Sequence, residues 1–108
     1  MNEMIKVIVK TPGEVYGHVT HVRNTLENFQ KLVGGPIETF PVGRRAVIIC
    51  NEIGKLKGLA PNFIVAQNGY LVDTFVGTVV VVGVNGDGFC DLDMSYDFWK
   101  KLIKEWGN

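Results

Sequence analysis

The sequence predicts a small α+β domain in which a mostly antiparallel sheet is packed with two helices. Several short apolar or alternating segments are separated by turns rich in glycine and proline, which is typical of strands joined in hairpins. Two segments, at about 25–33 and 95–106, instead repeat their apolar residues at helical spacing. With 108 residues, 46% of them hydrophobic, the chain is expected to form a single domain over residues 1–108.

The first quarter of the chain predicts a hairpin followed by a helix. Residues 4–10 alternate apolar and polar side chains, as a strand with one buried face does, and residues 15–22 are expected to return beside them. Asn24 is a suitable N-cap, and Glu27 stands three residues later, as in a capping box. The helix is expected to end at the Gly-Gly-Pro sequence of residues 34–36.

The middle of the chain predicts one buried strand between less regular segments. Residues 37–41 are expected to be extended, and residues 46–50 (AVIIC) form an apolar run of strand length. Residues 51–67 are expected to be irregular, because glycine and proline interrupt them at Gly54, Gly58 and Pro61.

The last third predicts a central strand, a hairpin and the second helix. Residues 70–73 are expected to form a small edge strand or a turn. Residues 77–84 (GTVVVVGV) are expected to form a strand buried on both faces. The sequence Asn-Gly-Asp-Gly of residues 85–88 is typical of a hairpin turn, after which residues 89–92 return.

The terminal helix is expected to begin at Asp93 or Ser95 as its cap. It presents an apolar stripe, which is most simply explained by core packing, although a tryptophan at a partner interface is a lesser alternative. The stripe consists of Trp99, Leu102, Ile103 and Trp106.

Composition restricts the function classes. Eleven basic residues balance eleven acidic ones, whereas a dedicated nucleic-acid-binding protein usually has a basic excess. The longest apolar stretch, residues 75–84, is half of the roughly 20 residues that a membrane-spanning helix needs. Residues 1–10 lack the features of a secretory signal. We therefore expect a soluble, cytoplasmic protein, with Cys50 and Cys90 as reduced, buried thiols rather than a disulfide or a nucleophile.

The segment 51–62 is the best candidate for a functional site. Irregular backbone after a buried strand is where a rigid scaffold commonly displays functional groups. Hydrogen-bonding groups and both charges occur there, and the alternative is that the two asparagines hydrogen-bond only their own loop. The candidate residues are Asn51, Glu52, Lys55, Lys57 and Asn62.

Four basic residues, Arg44, Arg45, Lys55 and Lys57, are expected to cluster if strand and loop fold back on each other. Such a cluster would contact a phosphate, a nucleotide or an acidic protein surface. The alternative is a solvated face without a ligand.

Metal and catalytic sites are not expected. His18 and His21 are three residues apart on a strand and therefore point to opposite faces. Residues 83–94 resemble a calcium-binding loop but lack a carboxylate at both ends. Asp91 and Asp93 share a strand face, as paired catalytic carboxylates would, yet helix capping explains Asp93 more simply. We predict no cofactor and no metal; if there were turnover, Glu52 would be the first candidate for an acid or base.

Four segments carry a resemblance to a known family: residues 4–9, residues 32–35 (LVGG), residues 50–62 (CNEIGKLKGLAPN), and Gly77-Thr78. On these segments the chain resembles domain of unknown function 3846, which is carried mainly by bacteriophages, plasmids and other mobile elements of bacteria. The third segment is the most specific. The resemblance implies no catalytic residues, and residues 93–96 (DMSY) depart from it, because a more polar helix start is usual there.

Two hypotheses follow for function. The first is a non-catalytic binding protein that acts through protein–protein contact, as an accessory or counter-defence factor of a phage or mobile element. The alternative is a protein that binds or sequesters a small, nucleotide-like molecule with Arg44, Arg45 and the 51–62 segment. An enzyme and a nucleic-acid-binding protein rank lower, and a homo-oligomer is left open.

Overall fold

A computed structural model describes residues 3–108 of the chain. Over this range the chain forms eight β-strands and two α-helices. In chain order they are β1 (Met4–Lys10), β2 (His18–Arg23), α1 (Leu26–Val33), β3 (Ile37–Val42), β4 (Ala46–Asn51), β5 (Pro61–Gln67), β6 (Tyr70–Val76), β7 (Val79–Asn85), β8 (Gly88–Cys90) and α2 (Tyr96–Glu105).

The strands form two antiparallel sheets, which confirms the predicted α+β fold class. The larger sheet has the order β2-β1-β7-β4-β3, and β8 pairs with the end of β7. The smaller sheet is the β5–β6 hairpin. Strand β7 is central, as predicted, and its four valines at positions 79–82 are fully buried because both faces of the larger sheet are covered.

Helix α1 covers one face of the larger sheet. Ile5, Val7 and Val9 point to this face because side chains alternate along a strand, and they pack with Phe29 and Val33 of the helix. The remaining positions of β1 point to the other face. The alternation seen in the sequence therefore marks two cores rather than one core and solvent.

The β5–β6 hairpin and α2 cover the opposite face. Phe63 of β5 stacks on Phe75 of β6 and on Trp106 of α2, and it meets Trp99 edge to face. The indole nitrogen of Trp99 donates a hydrogen bond of 2.8 Å to the carbonyl of Tyr16. The predicted apolar stripe of α2 is therefore core, with Leu102 half-buried at its margin.

The caps of both helices depend on short side chains. The predicted cap of α1 was wrong by one residue: Thr25, not Asn24, accepts from the N–H of Asn28, so Glu27 is not placed to form a capping box. Asn24 instead donates to the carbonyl of Phe89. For α2, Ser95 is the N-cap, and its hydroxyl accepts a hydrogen bond from the N–H of Phe98.

Three strand predictions, those for β2, β5 and β6, were wrong in bounds or in kind. Strand β2 begins at His18, not at residue 15, because Gly17 has a φ of +87° and ends the preceding loop. Residues 61–67, predicted to be irregular, form β5. Pro61 is compatible with this strand because a proline at the first position forfeits no interior ladder bond. Strand β6 also extends beyond the predicted residues 70–73 to Val76.

In the C-terminal half, the hairpin turn and the terminal helix lie where predicted, whereas β7 begins at Val79 rather than at residue 77 and β8 covers Gly88–Cys90 rather than residues 89–92. The turn joining β7 to β8 pairs Asn85 with Gly88, and Gly86 takes a φ of +62° at the first central position. That geometry fits a two-residue hairpin turn with glycine first. Neither helix in the part described, residues 3–108, is long and apolar enough to cross a membrane.

Candidate functional site

The connection between β4 and β5, residues 52–60, is irregular, as predicted. It is a succession of turns closed by backbone hydrogen bonds, among them Lys57 N–H to the Ile53 carbonyl at 3.0 Å and Leu59 N–H to the Gly54 carbonyl at 3.1 Å. At its start the Glu52 N–H donates to the carbonyl of Pro36 at 2.8 Å. The loop is therefore held to the body of the domain at defined points.

Asn51 is a structural residue in this loop. Its side chain is buried, its oxygen accepts from the Ile53 N–H at 2.9 Å, and its nitrogen donates to the Val33 carbonyl at 3.2 Å. The second bond satisfies a carbonyl at the end of α1 that has no partner within the helix. A Cβ at Gly35 would lie 2.9 Å from this nitrogen, so the glycine leaves room for the carboxamide.

Asn62 is structural as well, and it binds a buried lysine. Its nitrogen donates to the carbonyls of Lys10 and Gly77, each at 2.8 Å, and its oxygen accepts from the Lys10 ammonium. That ammonium also donates to the carbonyl of Glu14 at 2.8 Å and lies over the ring of Phe63. Burial lowers the pKa of Lys10, because it removes water from the charged form.

Three of the four segments that carry the family resemblance meet in space. Residues 50–62 contact residues 32–35 through Asn51 and contact Gly77 through Asn62. Gly77 has a φ of +71°, and a Cβ there would lie 2.8 Å from Leu59. The shared residues of the long segment thus serve largely to build the loop. The alternative interpretation, that the asparagines bond only their own loop, holds for the Asn51–Ile53 bond and not for the bonds of Asn62, which reach Lys10 and Gly77.

A polar groove of about 230 Å³ lies between this loop and β6. One wall comes from the ends of β3 and β4 and from the loop, and the other comes from β6. The lining residues used below are Glu38, Cys50, Glu52, Lys55 and Asp73. We call this cavity the acidic groove, because three carboxylates and one ammonium line it.

The charges of the acidic groove are partly paired. Lys55 Nζ lies 2.8 Å from Asp73 Oδ1, and this hydrogen bond raises the pKa of Lys55. Glu38 and Glu52 form no ion pair within 4.0 Å among the residues described, so the groove carries uncompensated negative charge. A cationic group is the ligand that this arrangement favours.

Cys50 is not suited to nucleophilic chemistry. Burial, with the nearby charges of Glu38 and Asp73, raises the pKa of its thiol to about 11, so the thiol keeps its proton at neutral pH. Both cysteines are free; Cys50 is buried as expected, whereas Cys90 is only half-buried.

The predicted basic cluster does not form. Arg44 and Arg45 lie in the turn before β4, whereas Lys55 and Lys57 follow its other end, and a six-residue strand separates the two pairs by about 20 Å. Arg45 lies 3.6 Å from the carboxylate of Asp93. Lys57 donates at 3.4 Å to the carbonyl of Gly34, just after the end of α1, where a cation is favourable.

The histidines and aspartates that were considered for chemistry are dispersed. His18 pairs with Glu14 at 2.8 Å and lies across from Val9, while His21 lies across from Lys6, on the other face of the sheet. Asp91 accepts from the backbone N–H of Lys6 at 2.7 Å. In residues 3–108, no group of three or more His, Cys, Asp or Glu is placed to hold a metal.

Two lining residues of the acidic groove were missed by the sequence interpretation. Glu38 belongs to β3 and Asp73 to β6, and they join the loop only through the packing of the hairpin over the larger sheet. The sequence contained no local signal for this contact. Of the predicted residues, Asn51, Glu52 and Lys55 line the acidic groove, Asn62 instead bonds Lys10 and Gly77, and Lys57 borders α1.

Comparison with known proteins identifies the family. The family model described as Domain of unknown function (DUF3846) matches residues 5–104, which is nearly the whole chain. The chain therefore belongs to this family, as predicted. No curated protein matches the chain, and no solved structure matches it.

Proposed function

We propose that this member of the domain of unknown function 3846 family is a non-catalytic binding protein that acts through protein–protein contact. The observation that carries the proposal is a run of exposed apolar side chains on β6, directly beside the acidic groove. Tyr70, Leu71 and Val72 are 77%, 63% and 46% exposed. Three consecutive exposed apolar residues on a strand are unusual for a free surface and typical of a contact site.

The acidic groove continues this apolar surface. Val72 precedes Asp73, which pairs with Lys55 across the groove, and Lys55 is followed by Leu56, which is 89% exposed. Exposed apolar residues therefore adjoin both members of the ion pair along the chain. We call residues 70–72, Leu56 and the acidic groove together the β6 surface.

The backbone of β6 favours an extended partner. In residues 3–108, β6 pairs only with β5, so its outer edge has no neighbouring strand. The N–H of Thr74 is occupied by the Asp73 carboxylate at 2.7 Å, whereas no such side chain covers residues 70–72. On the far side of the hairpin, the Asn108 carboxamide binds both the N–H and the carbonyl of Ile64. The open edge thus coincides with the apolar residues, which suits addition of a partner strand.

The charge of the acidic groove specifies the partner further. Three carboxylates against one ammonium attract a basic side chain. We therefore expect a partner segment that places apolar residues along β6 and a lysine or arginine in the acidic groove. The association of the resembled family with phages, plasmids and other mobile elements supports a role as an accessory or counter-defence factor acting on a bacterial protein.

The test is affinity capture from a bacterial lysate with the immobilised protein, followed by quantification of stoichiometric partners. We expect Leu71→Asn to weaken capture by about 2 kcal/mol, as a central contact residue does, and Glu52→Gln to weaken it less. Val15→Asn is the matched control, because Val15 is a similarly exposed apolar residue outside the β6 surface.

Two results would contradict the proposal. One is repeated failure to enrich any host or phage protein above a blank resin. The other is equal loss of a captured partner in Leu71→Asn and Val15→Asn, because the β6 surface would then have no special part in binding.

A further inference from the structure

A second groove lies at the opposite end of β4, about 20 Å from the acidic groove. It has a volume of about 370 Å³, within the range of small-molecule sites, and it borders a pocket of about 580 Å³ that shares Arg45 and Asp93 with it. The lining residues that matter are Val42, Arg44, Arg45, Asp93, Met94 and Phe98. We call it the arginine groove.

The lining of the arginine groove combines an apolar surface with two cations. Val42 is buried and Met94 is half-buried, both in contact with the main core, so they form a fixed apolar floor. Phe98 stands at the margin with half of its surface exposed, although the other apolar side chains of α2 pack inward. An exposed aromatic ring beside arginines is a suitable platform for a planar, negatively charged ligand.

Both arginines are available to a ligand. Arg45 lies 3.6 Å from the Asp93 carboxylate, and because both side chains are about four-fifths exposed, solvent screens the pair. Arg44 has no carboxylate within 4.0 Å in the described part of the chain. Guanidinium groups bind phosphate with two parallel hydrogen bonds, which ammonium groups cannot do.

The backbone around the arginine groove is held firmly. The Arg45 carbonyl accepts from the Val84 N–H at 2.8 Å, which ties the β3–β4 turn to the central strand. On the other wall the Leu92 N–H donates to the Lys6 carbonyl at 2.8 Å, and the Phe98 N–H donates to the Ser95 hydroxyl at 3.1 Å. Ligand binding would therefore order mainly the arginine side chains, which keeps its entropic cost low.

We infer that the arginine groove binds a nucleoside monophosphate, with the phosphate on Arg44 and Arg45 and the base on Phe98. This site is separate from the β6 surface, so it goes beyond the proposed protein contact. Asp93 constrains the pose: its carboxylate repels a phosphate and is placed to accept from a ribose hydroxyl or an exocyclic amine. The phosphate therefore lies toward Arg44, and the ligand weakens the contact between Arg45 and Asp93.

The test is calorimetric titration of the intact protein with AMP, GMP, CMP and UMP. Two half-ligands are titrated as well: adenosine, which lacks the phosphate, and ribose 5-phosphate, which lacks the base. An oligothymidylate tests binding of single-stranded nucleic acid. At least one nucleoside monophosphate is expected to bind, and each half-ligand is expected to bind about tenfold more weakly or worse.

Single substitutions test how each side chain of the arginine groove contributes to nucleotide binding. Arg44→Gln and Arg45→Gln are each expected to weaken nucleotide binding about tenfold or more, because each removes a charge-assisted contact. Phe98→Leu is expected to weaken nucleotide binding and to leave ribose 5-phosphate unchanged. Asp93→Asn is expected to strengthen binding of both, and Lys55→Gln, at the other end of β4, to change neither.

The inference is overturned if none of the four nucleotides binds at millimolar concentration, or if the arginine variants bind as the wild type does. Tighter binding of the oligothymidylate than of every mononucleotide would also overturn it and would assign the groove to single-stranded nucleic acid. Loss of nucleotide binding has no bearing on protein capture by the β6 surface, so the two proposals fail separately.

Discussion

The carboxamide of Asn62 joins backbone groups that are 52 and 15 residues away along the chain. Its oxygen also accepts from the ammonium of Lys10, a side chain with 2% of its surface exposed. Without Asn62 that ammonium would keep only the Glu14 carbonyl and the face of Phe63. A buried charge that loses a hydrogen-bond partner keeps its full desolvation cost.

Asn62→Ala is therefore expected to lower the free energy of unfolding by about 2–4 kcal/mol. Asn28→Ala is the matched control, because the half-buried Asn28 side chain donates a single solvent-exposed hydrogen bond to the carbonyl of Arg23, and it is expected to cost less than about 1 kcal/mol. Urea denaturation of the two variants measures the difference. Equal losses in the two variants would show that the Lys10–Asn62 contact adds nothing to stability.

At the level of single residues, the sequence predicted residue types better than partners. That Asn51 and Asn62 hydrogen-bond only their own loop was one of two interpretations that the sequence left open, and only the bond from Ile53 to Asn51 agrees with it. The sequence could not predict that Asn51 donates to a carbonyl at the end of α1, or that Asn62 binds Lys10, because these contacts span 18 and 52 residues of the chain. Glu38 and Asp73 were missed for a similar reason, because tertiary packing and not a local sequence pattern brings them to the acidic groove.

At the level of elements, β7 depends on a close approach that only glycine permits. A Cβ at Gly83 would lie 2.3 Å from the carbonyl oxygen of Asp91, which is backbone and cannot rotate away. The segment after β8 crosses β7 here and goes on to bind Lys6 through the Leu92 N–H. An added methyl group must push this segment away from the sheet.

Gly83→Ala is expected to destabilise the domain by about 2–3 kcal/mol through overpacking. Gly88→Ala in the neighbouring strand is the control, because its nearest atom would lie at 3.9 Å and its φ is not positive, so a change within about 0.5 kcal/mol is expected. Thermal unfolding compares the two variants, and a Gly83→Ala protein as stable as the wild type would refute the close approach.

Local pattern predicted most elements, but not all of their bounds. Four consecutive valines predicted β7, and the cap and stripe of α2 lay where expected, because these signals are local. Strand β5 was missed because Pro61 and the nearby glycines favour irregular backbone, whereas pairing with β6 and packing of Phe63 under α2 favour a strand. Tertiary contact overrode local preference there.

At the level of the whole molecule, β4 separates the basic residues that the sequence interpretation grouped together. The acidic groove lies at one end of this strand and the arginine groove at the other. Whether a basic cluster formed depended on the path of the chain over about 20 Å, which residue spacing does not determine. Although the formal net charge of the chain is zero, the domain thus has one negatively and one positively charged groove.

The stability of the whole domain is expected to fall in alkaline solution because of Cys50. Its thiol has a pKa of about 11 in the folded protein against an ordinary value of 9.0, so the unfolded chain loses this proton first. As pH rises from about 9 to about 11, the free energy of unfolding is expected to drop by up to about 3 kcal/mol. Denaturant titrations across this range measure the drop.

Two cysteine variants test whether the loss of stability at alkaline pH comes from Cys50. It should be largely absent in Cys50→Ala and retained in Cys90→Ala, which leaves Cys50 in place. Lys10, whose pKa is also shifted, contributes equally to both variants and cancels in the comparison. An identical pH profile in the two variants would contradict the assignment.

The sealed position of Lys10 gives its amine a chemical behaviour unlike that of its neighbours. Exposed lysines such as Lys6 meet an acylating reagent in the folded protein. Lys10 meets it only after β1 has parted from Asn62 and from the loop that holds Glu14. Acylation at Lys10 therefore depends on opening of the domain, and the extent of modification at this one amine reports how much of the time the fold is open.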